Sequence, residues 1–149
     1  MVYLVRHGDA VAAAENPARP LSRAGREAVE QIARLARERQ VEVSAIYHSG
    51  ILRAQETAEI LAKHLKPRSG VKAISGLSRD DDPVVGKAEL EAATAPIMLV
   101  GHLPYMNRLV SLLVRGDPEA TVINLRPAAM VCCSNVAAQW KIDWHLAPS

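Results

Sequence analysis

Short apolar runs alternate with amphipathic helical segments from Val2 to Arg115, and no other feature constrains the fold as strongly. The runs are Val2–Val5, Ala45–His48, Val71–Ile74 and Ile97–Val100. Each is short, apolar or β-branched and bounded by turn residues, the pattern of a buried strand. Between them the apolar spacing changes to that of a helix. Ser22 is placed to cap a helix from about Arg23 to Arg39, with Ala28, Ile32, Leu35 and Ala36 as its apolar stripe. A second helix follows Ser49-Gly50 and runs to about His64, with Ala54, Ala58, Leu61 and Leu65 on one face. Asp82-Pro83 opens a third, ending near Thr94, and Pro104 opens a fourth whose Met106, Leu109, Val110 and Leu113 face inward. Beyond the Gly116-Asp117-Pro118 turn the pattern changes, and Ala129–Ser134 and Gln139–Leu146 read as a terminal hairpin broken at Asn135. The expectation is an α/β fold: a mainly parallel sheet flanked by helices on both faces, with a C-terminal antiparallel hairpin. At 149 residues, with no linker or repeat, the chain reads as one domain spanning 1–149.

Composition removes several classes of function. Hydrophobic residues make up 49% of the chain and mean hydropathy is +0.01, which fits neither disorder nor a membrane protein. No apolar run approaches the ~20 residues of a spanning helix. The net charge is only +2, and Lys and Arg are interleaved with Glu, so there is no nucleic-acid footprint. The start Met-Val-Tyr-Leu-Val-Arg lacks the layout of a secretory signal, which makes the cytoplasm the expected compartment. The adjacent Cys132 and Cys133 lie in an apolar run without metal spacing and read as buried thiols.

The polar residues collect at strand ends. The first strand ends in Arg6-His7-Gly8, the second in His48-Ser49-Gly50 with Arg53 one turn into the next helix, and the fourth in Gly101-His102. Parallel strands bring such ends to one edge, where ligands bind in open α/β sheets. Arg, His and close-approach glycines converging there suit a phosphate group: guanidinium forks bind its oxygens, and a helix N-terminus adds donors. His48 reads as a structural strand-end histidine, and Ser49 as a turn and helix-cap residue. Asp80-Asp81-Asp82 reads as a solvated loop ending in a helix cap. The five His lack metal-ligand spacing, and no cofactor or metal is expected.

Four blocks stand in order: Arg6-His7-Gly8, Leu21-Ser22-x-x-Gly25, Ser49-x-x-x-Arg53-Ala54-x-x-Thr57-Ala58 and Val100-Gly101-His102-x-Pro104. Together they resemble the signature of the histidine phosphatase superfamily, whose fold is that of phosphoglycerate mutase. Arg6-His7-Gly8-Asp9-Ala10 and Arg19-Pro20-Leu21-Ser22 make the chain most similar to its SixA phosphohistidine phosphatases. The resemblance implies that His7 is the nucleophile, passing through a phosphohistidine. It implies that Arg6, Arg53 and His102 bind the phosphate, with Arg19 as a further contact. It also implies a phosphorylated protein substrate, such as a histidine-phosphotransfer domain, with no role for a membrane.

Arg6 and Arg53 are expected to repel the imidazolium form of His7 and keep its lone pair available. A backbone carbonyl accepting the other ring N–H would fix its tautomer; Gly8 or its neighbours could supply one, though the sequence does not place it. Many superfamily members carry a Glu after the third strand as proton donor, whereas this chain reads Ile74-Ser75-Gly76-Leu77-Ser78-Arg79-Asp80-Asp81-Asp82. Asp81, Asp82 and Asp9 are the candidate acids. A site without a dedicated acid suits phosphohistidine, because imidazole, with a pKa near 6.5, leaves far more readily than an alkoxide. A short chain with little left over for a cap likewise suits a histidine displayed on another protein. Two alternatives stand beside this one: a small-molecule phosphomonoesterase using a loop Asp, and a phospho-binding module without turnover.

Overall fold

The computed structural model describes residues 1–149. In chain order the elements are β1 (Val2–Arg6), α1 (Arg23–Glu38), β2 (Ala45–His48), α2 (Leu52–Leu65), β3 (Val71–Ala73) and α3 (Val84–Ala92). They continue with β4 (Ile97–Gly101), α4 (Tyr105–Arg115), β5 (Met130–Val136) and β6 (Gln139–Leu146). One six-stranded sheet has the order β3-β2-β4-β1-β5-β6. The first four strands in that order are parallel, and β5 and β6 join antiparallel. This is the α/β architecture expected from the alternation, with the C-terminal antiparallel pair in place.

The sheet separates two hydrophobic layers, and the two-residue period of its strands does the sorting. Tyr3, Val5, Ile46, Met98, Val100 and Met130 face α1 and α2. Val2, Leu4, Ala45, Ile97, Leu99 and Val131 face α3 and α4. All five residues of β4 are buried, which suits the strand between β2 and β1. Cys132 and Cys133, neighbours on β5, are both buried free thiols and point into opposite layers. No helix is long and apolar enough to cross a membrane.

Local chemistry sets most element ends. The Ser22 side chain accepts from the Gly25 amide and caps α1. Lys66 takes a left-handed conformation and closes α2 just before Pro67, and Gly116 closes α4 in the same way. Asp82 Oδ1 accepts from the Val84 amide at the start of α3.

Three expectations need correction. The buried face of α1 is Gly25, Val29, Ile32, Ala33 and Ala36, while Ala28 and Leu35 only flank it. The third helix ends at Ala92 rather than near Thr94. The hairpin does not break at Asn135, which pairs with Trp140 inside the ladder; the chain reverses at Ala137-Ala138, both with positive φ (54° and 65°). That pair of angles belongs to the tight turn whose twist matches two antiparallel strands. Ala carries no composition signal for it.

Two glycines let the loop after β1 close against α1. A Cβ on Gly8 would lie 2.7 Å from Val29 Cγ2, and one on Gly25 would lie 2.0 Å from the Asp9 carbonyl oxygen. The loop after β1 therefore rests directly on the backbone of α1. In Gly25→Ala, the gain of about 1 kcal/mol in helix propensity is outweighed by this backbone clash. The expected result is a net loss of about 2 kcal/mol in stability, read as a lower midpoint in urea.

Candidate active site

The sheet order places β2, β4 and β1 side by side, so the three polar strand ends meet at one edge. The Arg6 and His7 amides donate to Ala129 (3.1 Å) and Gly101 (2.9 Å), so the ladder is held up to the first functional side chains. The Ala128 amide, on a positive-φ residue, lies within reach of the Arg6 and His7 carbonyls, and Arg6 Nη1 donates to the Leu125 carbonyl at 3.0 Å. Arg6 is thus aimed by the loop that enters β5.

His7 Nδ1 lies 2.6 Å from the Gly8 carbonyl. A carbonyl only accepts, so Nδ1 carries the proton and Nε2 keeps its lone pair. The Gly8 amide donates to Thr57 Oγ1 (3.0 Å), and that hydroxyl donates to the Arg53 carbonyl (2.8 Å). The His7 loop is thereby tied to the first turn of α2, where Arg53 sits. The His7 and His102 rings lie 4.9 Å apart, centroid to centroid, at a tilt of 55°.

His102 is held by Ser49, whose hydroxyl lies 2.6 Å from His102 Nε2. The Ile51 amide donates to the same oxygen at 3.3 Å. Ser49 is therefore a turn residue as expected, but it does not cap α2; the N-cap position is Ile51, without a side-chain bond. A Ser49 hydroxyl that donates to Nε2 leaves the proton of a neutral His102 on Nδ1, whereas an Nε2–H that donates to Ser49 leaves Nδ1 as an acceptor. His48 is buried, and its Nδ1 accepts from the Gly50 amide, a structural role.

The protein leaves four buried side-chain nitrogens or oxygens without a partner of its own, and three of them are Arg6 Nε, Arg53 Nε and His102 Nδ1. The two Arg nitrogens are donors, as is His102 Nδ1 when Ser49 donates to Nε2, and all three belong to the residues expected to bind phosphate. Buried donors without acceptors cost about 1–3 kcal/mol each. Their concentration at one edge marks a place for an acceptor-rich anion.

Arg19 is brought to the same edge. It adopts φ 50°, its Nε donates to the Val11 carbonyl (3.0 Å), and its charge acts on both His7 and Arg53. Its loop is fastened by Glu56, which accepts from the Leu21 amide at 2.8 Å and pairs with Arg26. The three candidate acids have other engagements. Asp81 Oδ2 accepts from the Ser78 amide, and Asp82 Oδ1 accepts from the Val84 amide but is not the helix cap expected of it, because the N-cap position of α3 is Pro83; Asp9 lies beside Ser22 and Arg6.

Burial is the largest influence on the titration of the site. It pushes His7 down to about 4, with Arg53, Arg6 and Arg19 adding to the effect and the Gly8 hydrogen bond opposing it. The cationic repulsion expected from the sequence is real but second to desolvation. Burial likewise takes His102 down to about 3, helped by His7, Arg53 and Arg79. Arg53 is held below its ordinary value by burial, then by Arg19 and Arg79. The sequence reading gave no role to Thr57, Glu56 or Arg79 and did not pair Ser49 with His102. A hydroxyl among Ala54, Ala58 and Leu61 was a usable signal for Thr57, because a polar group on an apolar stripe needs a partner. Nothing local distinguished Arg79.

The profile described as Histidine phosphatase superfamily (branch 1) matches residues 2–78. The phosphohistidine phosphatase SixA of Escherichia coli (strain K12) is 31% identical over 152 residues, covering 99% of this chain and 93% of that protein. Among solved structures, the protein histidine phosphatase SixA complexed with tungstate superposes with a TM-score of 0.88 at 27% identity, covering 99% and 96% of the two chains. A phosphoserine phosphatase from Entamoeba histolytica in complex with phosphoserine shares the fold, with a TM-score of 0.73 at 12% identity over 97% and 95%.

Both active-edge imidazoles are neutral in the fold well below their ordinary value of 6.5. The unfolded chain binds protons there first, so stability is full above about pH 6.5 and falls as pH drops toward 4. Imidazole NMR titration should place His7 near 4 and His102 near 3. A His7 midpoint near 6.5 would contradict its burial among cations.

Proposed function

This chain belongs to the histidine phosphatase superfamily, and from that premise we propose that it removes phosphate from phosphohistidine on a signalling protein, with His7 as nucleophile. The observation that carries the reading is the convergence of three unpartnered buried nitrogens, on Arg6, Arg53 and His102, around an imidazole whose Nε2 lone pair is free. The likeness to a SixA structure bound to tungstate, a tetrahedral oxyanion, supports it.

Arg6, Arg53 and His102 Nδ1 hold the phosphoryl oxygens, and Arg19 adds positive charge from the loop before α1. Phosphoryl transfer needs positioning and charge stabilisation above all, and these residues supply both. His7 Nε2 attacks phosphorus as the bond to the substrate nitrogen breaks; the substrate ring carries a proton on its other nitrogen, so the electron pair leaves with a neutral imidazole. The low proton affinity of His7 keeps its lone pair available at neutral pH. The ring retains its Nδ1 proton against the Gly8 carbonyl throughout, so phospho-His7 is a phosphoimidazolium. Water then attacks phosphorus, inorganic phosphate departs, and neutral His7 returns.

The leaving group decides between substrates. Asp81 and Asp82 are turned into backbone hydrogen bonds of their own loop. The strongest charges at His7 are those of Arg53, Arg6 and Arg19, all cationic. An imidazole departs without a strong acid, whereas an alkoxide does not. The open edge, with His7, Arg6 and Arg53 only half-buried, suits a histidine presented by a folded domain in the cytoplasm.

Purified protein should hydrolyse a phosphohistidine domain much faster than sugar or nucleotide monoesters; the reverse order would favour a small-molecule phosphatase. His7→Ala should lower turnover by at least about 10³-fold while orthovanadate affinity largely persists. An acid-labile phosphoenzyme at His7 should be trapped on rapid quenching; its absence, with binding intact, would indicate a recognition module. Arg53→Ala should cost on the order of 10²-fold in kcat.

A further inference from the structure

The loop between β3 and α3 carries a cation that the reaction described above does not use. Leu77 is fully buried, and its carbonyl lies 3.3 Å from where a Cβ on Gly101 would stand, so the loop rests against the residue before His102. A tight turn follows at once. The Asp81 amide donates to the Ser78 carbonyl (3.1 Å), and the Ser78 amide donates back to Asp81 Oδ2 (2.9 Å). Arg79 and Asp80 occupy the two central positions of this clamped turn. Both side chains are exposed, 65% and 80%, and they pair at 3.4 Å. The charge of Arg79 reaches inward nonetheless and acts on both Arg53 and His102.

An ion pair this exposed is worth well under about 1 kcal/mol, so a doubly charged anion nearby readily replaces Asp80 as the partner of Arg79. We propose that Arg79 is a further phosphate-binding residue and that Asp80 competes for its guanidinium until the substrate phosphoryl group displaces the carboxylate. The inference rests on the phosphatase reading of this edge and deepens it. A guanidinium is always protonated and cannot serve as an acid. This loop therefore contributes charge to the phosphoryl group rather than a proton to the leaving group, consistent with a substrate whose leaving group needs none.

The test measures orthovanadate and inorganic phosphate affinity by calorimetry for the full chain and for Arg79→Ala, Asp80→Ala and the double variant, at two salt concentrations. Arg79→Ala should weaken binding about tenfold, with a shallower salt dependence, and Arg79→Lys should recover part of the loss. Asp80→Ala should tighten binding about threefold in the native background and leave it unchanged in the Arg79→Ala background. Equal affinity in Arg79→Ala and the native chain overturns the inference while leaving the phosphatase reading intact. Equal tightening by Asp80→Ala in both backgrounds also overturns it, because Asp80 then acts by simple repulsion. A native chain that binds neither anion overturns this inference together with the reading beneath it.

Discussion

The active edge depends on a single buried hydroxyl. Thr57 is fully buried, accepts from the Gly8 amide and donates to the Arg53 carbonyl. It thereby joins the end of β1 to the first turn of α2. The Gly8 carbonyl accepts from His7 Nδ1. One peptide segment thus sets the tautomer of the imidazole and its position relative to Arg53. The Gly8 amide makes no other hydrogen bond, and a buried polar group left without a partner costs about 1–3 kcal/mol. Both glycine close approaches serve this junction: Gly8 fits under Val29, and Gly25 fits under Asp9.

The edge is assembled against its own electrostatics. Arg19 and Arg79 repel Arg53, burial disfavours the charged form of both histidines, and three buried nitrogens have no partner in the protein. Functional edges often carry such local conflict, which the rest of the fold must support. Here the support comes from the two apolar layers on either face of the sheet, where residues such as Ile32, Leu61, Leu99 and Leu109 are fully buried. Each such side chain contributes roughly 1.5–3 kcal/mol. On the proposed reading, an anion with several acceptor oxygens relieves the repulsion and the missing hydrogen bonds together.

Positioning also accounts for what Asp81, Asp82 and Glu56 do in the structure. Asp81 clamps a turn, Asp82 starts α3, and Glu56 fastens the Arg19 loop to α2. These groups maintain the loops that carry the cations. The division is consistent with chemistry in which the phosphoryl group is stabilised by charge and the leaving group departs with little assistance.

The sequence by itself determined the order of strands and helices, the parallel alignment that follows from their alternation, and the residues delivered to the strand ends. Those features follow from local periodicity and chain connectivity. Arg6, His7, Arg53 and His102 could be singled out before any coordinate was known, because strands run parallel in such a fold and their C-terminal ends must coincide. Only the tertiary structure decided the partners. Ser49 holds His102 across 53 residues, and Thr57 holds Gly8 across 49. Burial rather than neighbouring charge dominates the proton affinity of His7, and the hairpin turns at two alanines that carry no turn signal. The reason is physical: hydrogen-bond partners, desolvation and close approach depend on distances between remote segments, and a linear pattern encodes only which residues arrive, not what they meet.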